Sequence, residues 1–242
     1  MSDFRLLAKF EETFRQGPYL HRNSQLGNRI ADFLFDDLYL LDPTSRFHLD
    51  VDAGRIALNP KGVSPGLRAR RGDGSFGPVV PGYTPLPYIG HVIPVSPTAE
   101  VDLGAEVKIL AKAMIKQIDR VISDLCGQSR EFKTKSPDAL TIGLIGLNVA
   151  DRYVSFEGAR RYPTGDYGPH PYQEAPEAER RLLASAEPCY QEFLILPFRA
   201  SNDPPFQFDW ARERETRDRY GAMLTRLLRS YERGRPWQDP SA

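Results

Sequence analysis

Glu106 and Lys108 are separated by a single residue, Val107, within a stretch (residues 99–110, AEVDLGAEVKIL) in which apolar and polar positions alternate. That period of two predicts a strand, with Val101, Leu103, Ala105, Val107 and Ile109 on one side and Asp102, Gly104, Glu106 and Lys108 on the other. On a strand Glu106 and Lys108 project the same way, roughly 7 Å apart. A carboxylate so placed binds a hard divalent cation through oxygen, and the neighbouring ammonium can orient or deprotonate a water and stabilise charge on a phosphate. Hydrolysis of a phosphodiester needs those parts: a metal, a positioned water and a cation where negative charge develops.

A second acid is needed to hold the ion. Asp102 shares the face of Glu106, but four residues along a strand is roughly 13 Å, so the chain has to bend between them, and Gly104 permits a bend. Asp52 and Asp73, the latter in an RRGDG segment, are the other candidates; Asp102 is slightly favoured. Asp37 is a further acid of interest, because it interrupts the apolar face of an expected helix. A carboxylate there needs a partner, a metal or a route to water from the helix's last turn.

The elements that would position these groups can be read on both sides of them. Residues 24–41 carry Leu26, Ile30, Phe33, Leu34, Leu38 and Leu41 at helical spacing, with Asn23 or Ser24 to cap the start and Pro43 to end it. Residues 46–59 (RFHLDVDAGRIALN) alternate as a hairpin that turns at Asp52-Ala53-Gly54. Residues 60–98 are rich in Pro and Gly and are expected to hold few backbone ladders. A helix follows the E-x-K strand from about 111 to 126 and ends at Gly127. Lys112, Lys116 and Arg120 form a basic stripe along it at intervals of four. Residues 139–149 (ALTIGLIGLNV) read as a strand buried on both faces. A Tyr-rich loop, a helix near 174–186, a strand at 190–198 and an Arg-rich helix over 209–233 complete an α/β sandwich around a mixed sheet.

The whole 242-residue chain is balanced, 32 basic against 32 acidic residues, which excludes a bulk polycation that grips nucleic acid indiscriminately. Locally the charge is segregated. Residues 28–52 have six acids against two bases, net −4; residues 60–75 have four bases against one acid, net +3; residues 106–135 have seven bases against four acids, net +3. An acidic, cation-binding centre flanked by basic surfaces suits a polyanion, with Arg68, Arg70, Arg71, Lys112, Lys116 and Arg120 as the phosphate contacts. The same counts also describe an ordinary solvated surface. A hydrophobic content of 40% fits a folded domain. No apolar run approaches a membrane span and the first residues lack a signal-peptide core, so a cytoplasmic protein without a membrane partner is expected. Cys126 and Cys189 form neither a CxxC pair nor a disulfide framework, as expected of a reducing compartment.

The E-x-K of Glu106 and Lys108, together with the order helix, strands, E-x-K strand, helix, strand, resembles the PD-(D/E)XK nuclease superfamily over about residues 24–149. The resemblance implies an α/β fold, a mixed β-sheet flanked by helices with a restriction-endonuclease-like αβββαβ core. A C-terminal helical extension (150–242) would complete one nuclease-like domain. It implies that Mg²⁺ (or Mn²⁺) is held by Glu106 and an upstream aspartate, that Lys108 positions the attacking water, and that Asp37 matches the assisting acid of the first helix. It further implies a homodimeric DNA endonuclease of a bacterial restriction or defence setting. The chain departs from the family pattern in having no Pro-Asp pair at the usual short distance before Glu106.

Two other readings stand beside it. One is a nuclease-like module that binds nucleic acid or a partner protein without catalysis. The other is a non-haem iron site built on His48-x-Asp50-x-Asp52 with His91 or His170, which the two-histidine, one-carboxylate pattern suggests but whose usual fold needs more strands than this chain offers. No nucleophile elbow, Walker loop or Gly-rich dinucleotide turn is present. Tyr162, Tyr167, Tyr172, Phe206, Phe208 and Trp210 are candidates to stack on bases, or to pack loops onto the core.

Overall fold

The computed structural model describes residues 4–20, 25–59, 73–158 and 160–234. Three helices come first, α1 (Arg5–Arg15), α2 (Gln25–Leu41) and α3 (Arg46–Asp52), followed by β1 (Ile56–Leu58), β2 (Gly74–Pro78) and β3 (Leu103–Leu110). Helix α4 (Met114–Lys135) leads to β4 (Leu140–Asn148), and β5 (Val154–Glu157) and β6 (Arg160–Pro163) form a separate hairpin. Helix α5 (Pro171–Ser185), a 3₁₀ turn (Glu187–Cys189), β7 (Glu192–Ala200), β8 (Phe208–Trp210) and α6 (Glu213–Arg233) end the described chain.

Six strands form one mixed sheet in the order β1-β2-β3-β4-β7-β8. The first three run antiparallel to one another, β3, β4 and β7 run parallel, and β8 returns antiparallel. The parallel neighbours are joined through α4 and α5, the crossovers that parallel pairing demands. Side-chain alternation sorts the core into two layers. Ala105, Val107, Leu144 and Leu196 face α1, α2 and α6, whereas Leu110, Ile145, Leu147 and Ile195 face α4 and α5. β4 lies at the centre with all nine residues buried, as its unbroken apolar run predicts. The sheet does not stop near residue 149: β7 and β8 extend it, and the main core draws on residues from Leu6 to Tyr231.

Several expectations are corrected. Residues 46–52 are a helix, not the first strand of a hairpin. The Ser45 hydroxyl accepts the His48 N–H at 3.2 Å and caps α3, and Phe47, Asp50 and Val51 are buried at helical spacing. The helix after the E-x-K strand does not end at Gly127 but runs to Lys135, just before Ser136-Pro137. A mid-helix glycine costs only about 1 kcal/mol against alanine. Phe132, in the added turns, is 2% exposed and packs over Gly104, where a Cβ would come within 2.6 Å of its ring. Cys126 and Cys189 are joined as a disulfide, against the expectation of two free thiols. No described helix is long and apolar enough to cross a membrane.

Candidate active site

The site is built where antiparallel pairing gives way to parallel pairing. β3 has β2 on one side, with Gly74 opposite Ala105, and β4 on the other, with Glu106 opposite Gly143 and Lys108 opposite Ile145. Glu106 and Lys108 project together, as their spacing predicts, towards the α4–α5 layer. The Lys108 Nζ donates to the Glu106 Oε1 at 2.5 Å. Glu106 is 7% exposed, and the Lys108 side chain about a third exposed.

Asp73 approaches the backbone of the E-x-K triplet. It stands immediately before β2, and its Oδ2 accepts the backbone N–H of Val107 at 2.8 Å. Where the ladder would next present a carbonyl to β3, this side chain supplies the acceptor, which sets its carboxylate against the backbone of the E-x-K triplet on the side of α2. α2 makes room for it. A Cβ on Gly27 would lie 2.6 Å from the Asp73 Oδ1, and one on Gly74 would lie 2.8 Å from the Ala31 side chain. Beside Glu106 the wall is aromatic: above its register partner Gly143 sit the rings of Phe193 and Tyr190. The Tyr190 hydroxyl donates to the Leu125 carbonyl at 2.8 Å.

The neighbouring carboxylates act on Lys108 and Tyr190. Burial alone would lower the Lys108 ammonium. The adjoining Glu106 carboxylate, with Asp73 and Asp124, outweighs it and leaves the pKa above the ordinary lysine value. Burial, then Glu106 and Asp73, push the Tyr190 phenol well up. Burial and Asp73 raise Tyr19 to about 12. Lys108 is therefore a charged donor at neutral pH, not a free base.

The other expected site residues lie elsewhere. Asp102, the slightly favoured second acid, is at the opposite end of β3, in a small cavity with Ser136, Asp138 and the C-terminal end of α6. Its backbone bends just before β3, where its N–H donates to the Phe76 carbonyl one residue out of the ladder's register, and the regular strand from Leu103 separates it from Glu106. Asp37 is buried, away from water, and accepts the Arg5 and Leu6 N–H groups at 2.7 and 3.0 Å and the Tyr220 hydroxyl at 2.9 Å. It caps α1 and does not face the E-x-K group. Asp52 is an exposed residue at the end of α3, bonded to the Tyr39 hydroxyl and close to His48.

The iron reading loses its geometry, because His48 and Asp50 lie on different faces of a helix. His48 Nδ1 meets the Tyr39 carbonyl, and Asp50 pairs with Arg55 and Tyr231. The basic stripe is also broken. Lys112 precedes α4 and bonds the Ser155 hydroxyl; Lys116 and Arg120 alone share a helical face, where Arg120 stands 3.8 Å from Asp124. Arg68, Arg70 and Arg71 lie outside the described residues.

Among the described residues no three His, Cys, Asp or Glu side chains gather around one point. What the E-x-K group offers is two hard oxygen donors and an amine. Mg²⁺ keeps several waters and takes one or two carboxylates with the remaining positions left to substrate phosphate, so the donor set suits it. The space that Gly27 leaves for the Asp73 carboxylate supports the same fit. No family model, curated protein or solved structure matches this chain.

Proposed function

We propose that this chain is a metal-dependent nuclease with a restriction-endonuclease-like core, hydrolysing phosphodiester bonds, DNA being the preferred substrate. The observation that supports the reading is the bond from Val107 N–H to Asp73, which sets an aspartate from the start of one strand against the backbone between Glu106 and Lys108 of its antiparallel neighbour. The sheet order, with a helix and three antiparallel strands followed by a helix and a parallel strand, supports it.

In this reading Asp73 and Glu106 hold Mg²⁺ or Mn²⁺, which when bound polarises a phosphoryl oxygen and lowers the pKa of a coordinated water. Lys108, held protonated by its acidic neighbours, donates to the attacking water or to the phosphate as negative charge grows there. The water's oxygen bonds to phosphorus and its proton passes to bulk solvent, while the bond to the leaving sugar oxygen breaks and that oxygen takes a proton from solvent. Tyr190 and Phe193 close one side of the group and reduce the water around it. Lys112, Lys116 and Arg120, with Arg68, Arg70 and Arg71, remain the proposed phosphate contacts. Binding through them would weaken steeply as salt rises. A homodimer that cuts both strands in a restriction or defence setting belongs to the same proposal.

The test is incubation of the purified chain with Mg²⁺ or Mn²⁺ on plasmid DNA and on RNA, beside Asp73→Asn, Glu106→Gln and Lys108→Met. Cleavage by the wild type that all three variants lose is the expected result. Equal cleavage by the variants overturns the assignment. A wild type that retards DNA in a gel yet never cuts it favours the binding module instead.

A further inference from the structure

A second group of chemistry-bearing side chains lies on the outer face of α2, away from Asp73. Asp36 is fully buried and accepts the His91 Nδ1–H at 2.9 Å and the Val92 and Ile93 N–H groups at 2.9 and 3.3 Å. An ionised carboxylate only accepts, so the His91 proton resides on Nδ1, and Nε2 is the nitrogen left for other work. Nε2 has no hydrogen-bond partner among the described residues. The ring's two faces are taken, by Tyr88 at 4.4 Å and Phe33 at 4.5 Å between centroids, so the imidazole can meet a ligand only through its edge.

His91 lines a cavity of about 340 Å³ between α1, α2 and the loop before His91. Lys9 and Arg29 bring two cations to it, against the carboxylate of Glu12, which is bonded to Lys9 at 2.5 Å. Arg29 makes no ion pair among the described residues and is exposed. The lining also holds apolar residues, Phe33, over whose ring Lys9 Nζ lies at 5.8 Å, Tyr88, and Ile89, the last 96% exposed at the rim. Fastening the loop does not require the imidazole. Two backbone N–H groups on Asp36, the Tyr88 hydroxyl on Asp32 and the Arg5 guanidinium on the Gly90 carbonyl already hold it.

We propose that this cavity binds the phosphate of a nucleotide. Arg29 and Lys9 receive the anion, the acceptor Nε2 of His91 takes a hydrogen bond from a hydroxyl or amine of the ligand, and the apolar rim at Tyr88 and Ile89 receives the base. A free mononucleotide and the phosphorylated end of a strand share that chemistry. The site is separate from the Asp73–Glu106–Lys108 group and stands whether or not that group cuts.

The experiment is a titration of the full chain in EDTA, so that no cleavage intervenes, following the His91 ring signals by NMR. The probes are AMP, a short single strand with a 5′-phosphate and the same strand with a 5′-hydroxyl. Saturable shifts of His91 with AMP at millimolar concentrations are expected, weakened about tenfold in Arg29→Ala, the size of one charge-assisted hydrogen bond. A response to the phosphorylated but not the hydroxyl strand assigns the site to strand ends; a response to AMP alone assigns it to free nucleotides. Arg29 is exposed, so that variant is expected to fold, and His91→Asn is a second probe that keeps a donor for Asp36. AMP affinity of His91→Asn, which has no such ring signals, is read by calorimetry. No response of His91 to any probe in the wild type, or AMP affinity unchanged in both variants, overturns the proposal.

Discussion

The Asp73 carboxylate and the Val107 N–H meet at 2.8 Å, so a side chain from the edge of one strand occupies the place of a backbone acceptor in the centre of the next. The bond orients Asp73, and it makes the acid's position depend on strand register. Asp73→Asn keeps an acceptor for Val107 and loses the charge. It should therefore fold as the wild type does, by circular dichroism and melting, while metal-dependent cleavage falls at least about a hundredfold.

Lys108→Met separates two roles of one residue. The ammonium competes with any cation for Glu106, to which it is bonded at 2.5 Å. Its removal should tighten Mn²⁺ binding, measured by calorimetry, and at the same time reduce turnover. A fall in both, or in neither, would contradict the role given to Lys108.

Gly27→Ala should split activity from stability. Alanine improves a helix by up to about 1 kcal/mol, but its Cβ would stand 2.6 Å from the Asp73 Oδ1 and has to displace the carboxylate. The variant is expected to melt no lower than the wild type and to lose most of its cleavage. Gly104→Ala has no such compensation. Its Cβ meets the Phe132 ring at 2.6 Å, and overpacking there should cost about 1–3 kcal/mol in a urea titration.

Asp37 gives a pH signature. Burial raises its folded pKa from 3.8 to about 6, although the Leu6 and Arg5 N–H groups and Tyr220 oppose the shift. The native state thus binds its proton more tightly than the unfolded chain. Stability from this group is full below about pH 4 and is lost as pH rises through about 6. The loss is on the order of 2–3 kcal/mol. Asp37→Asn, less stable overall because it gives up accepted bonds, should remove that downward slope in denaturant midpoints measured between pH 4 and pH 7.

Much of the frame was legible in the residues. The E-x-K strand, the α2 helix and the doubly buried β4 are strongly periodic, and periodicity reports burial directly. The second acid was not. Asp73 reaches the backbone between Glu106 and Lys108 through the antiparallel register of Gly74 with Ala105, which no spacing along the chain reveals, whereas Asp102 is expected on the face of Glu106 from spacing alone. The small residues flanking Asp73 were the available signal, since Gly74 marks close backbone approach to α2. Residues 46–52 misled because Phe47 and Val51 fit both an alternating pattern, with Leu49, and a helical one, with the buried Asp50; Ser45 decided between them. Gly127 misled because a helix stops at glycine only when packing beyond it is weak.

One fastening near Glu106 has a kinetic consequence. Cys126 is bonded to Cys189, and the residues beside them, Leu125 and Tyr190, are hydrogen-bonded to each other. Two adjacent rungs thus tie the middle of α4 to the segment that carries Tyr190. In hydrogen–deuterium exchange the amides of this part of α4 and those entering β7 should open together as one cooperative unit, and a reducing agent should divide that unit into two with separate protection.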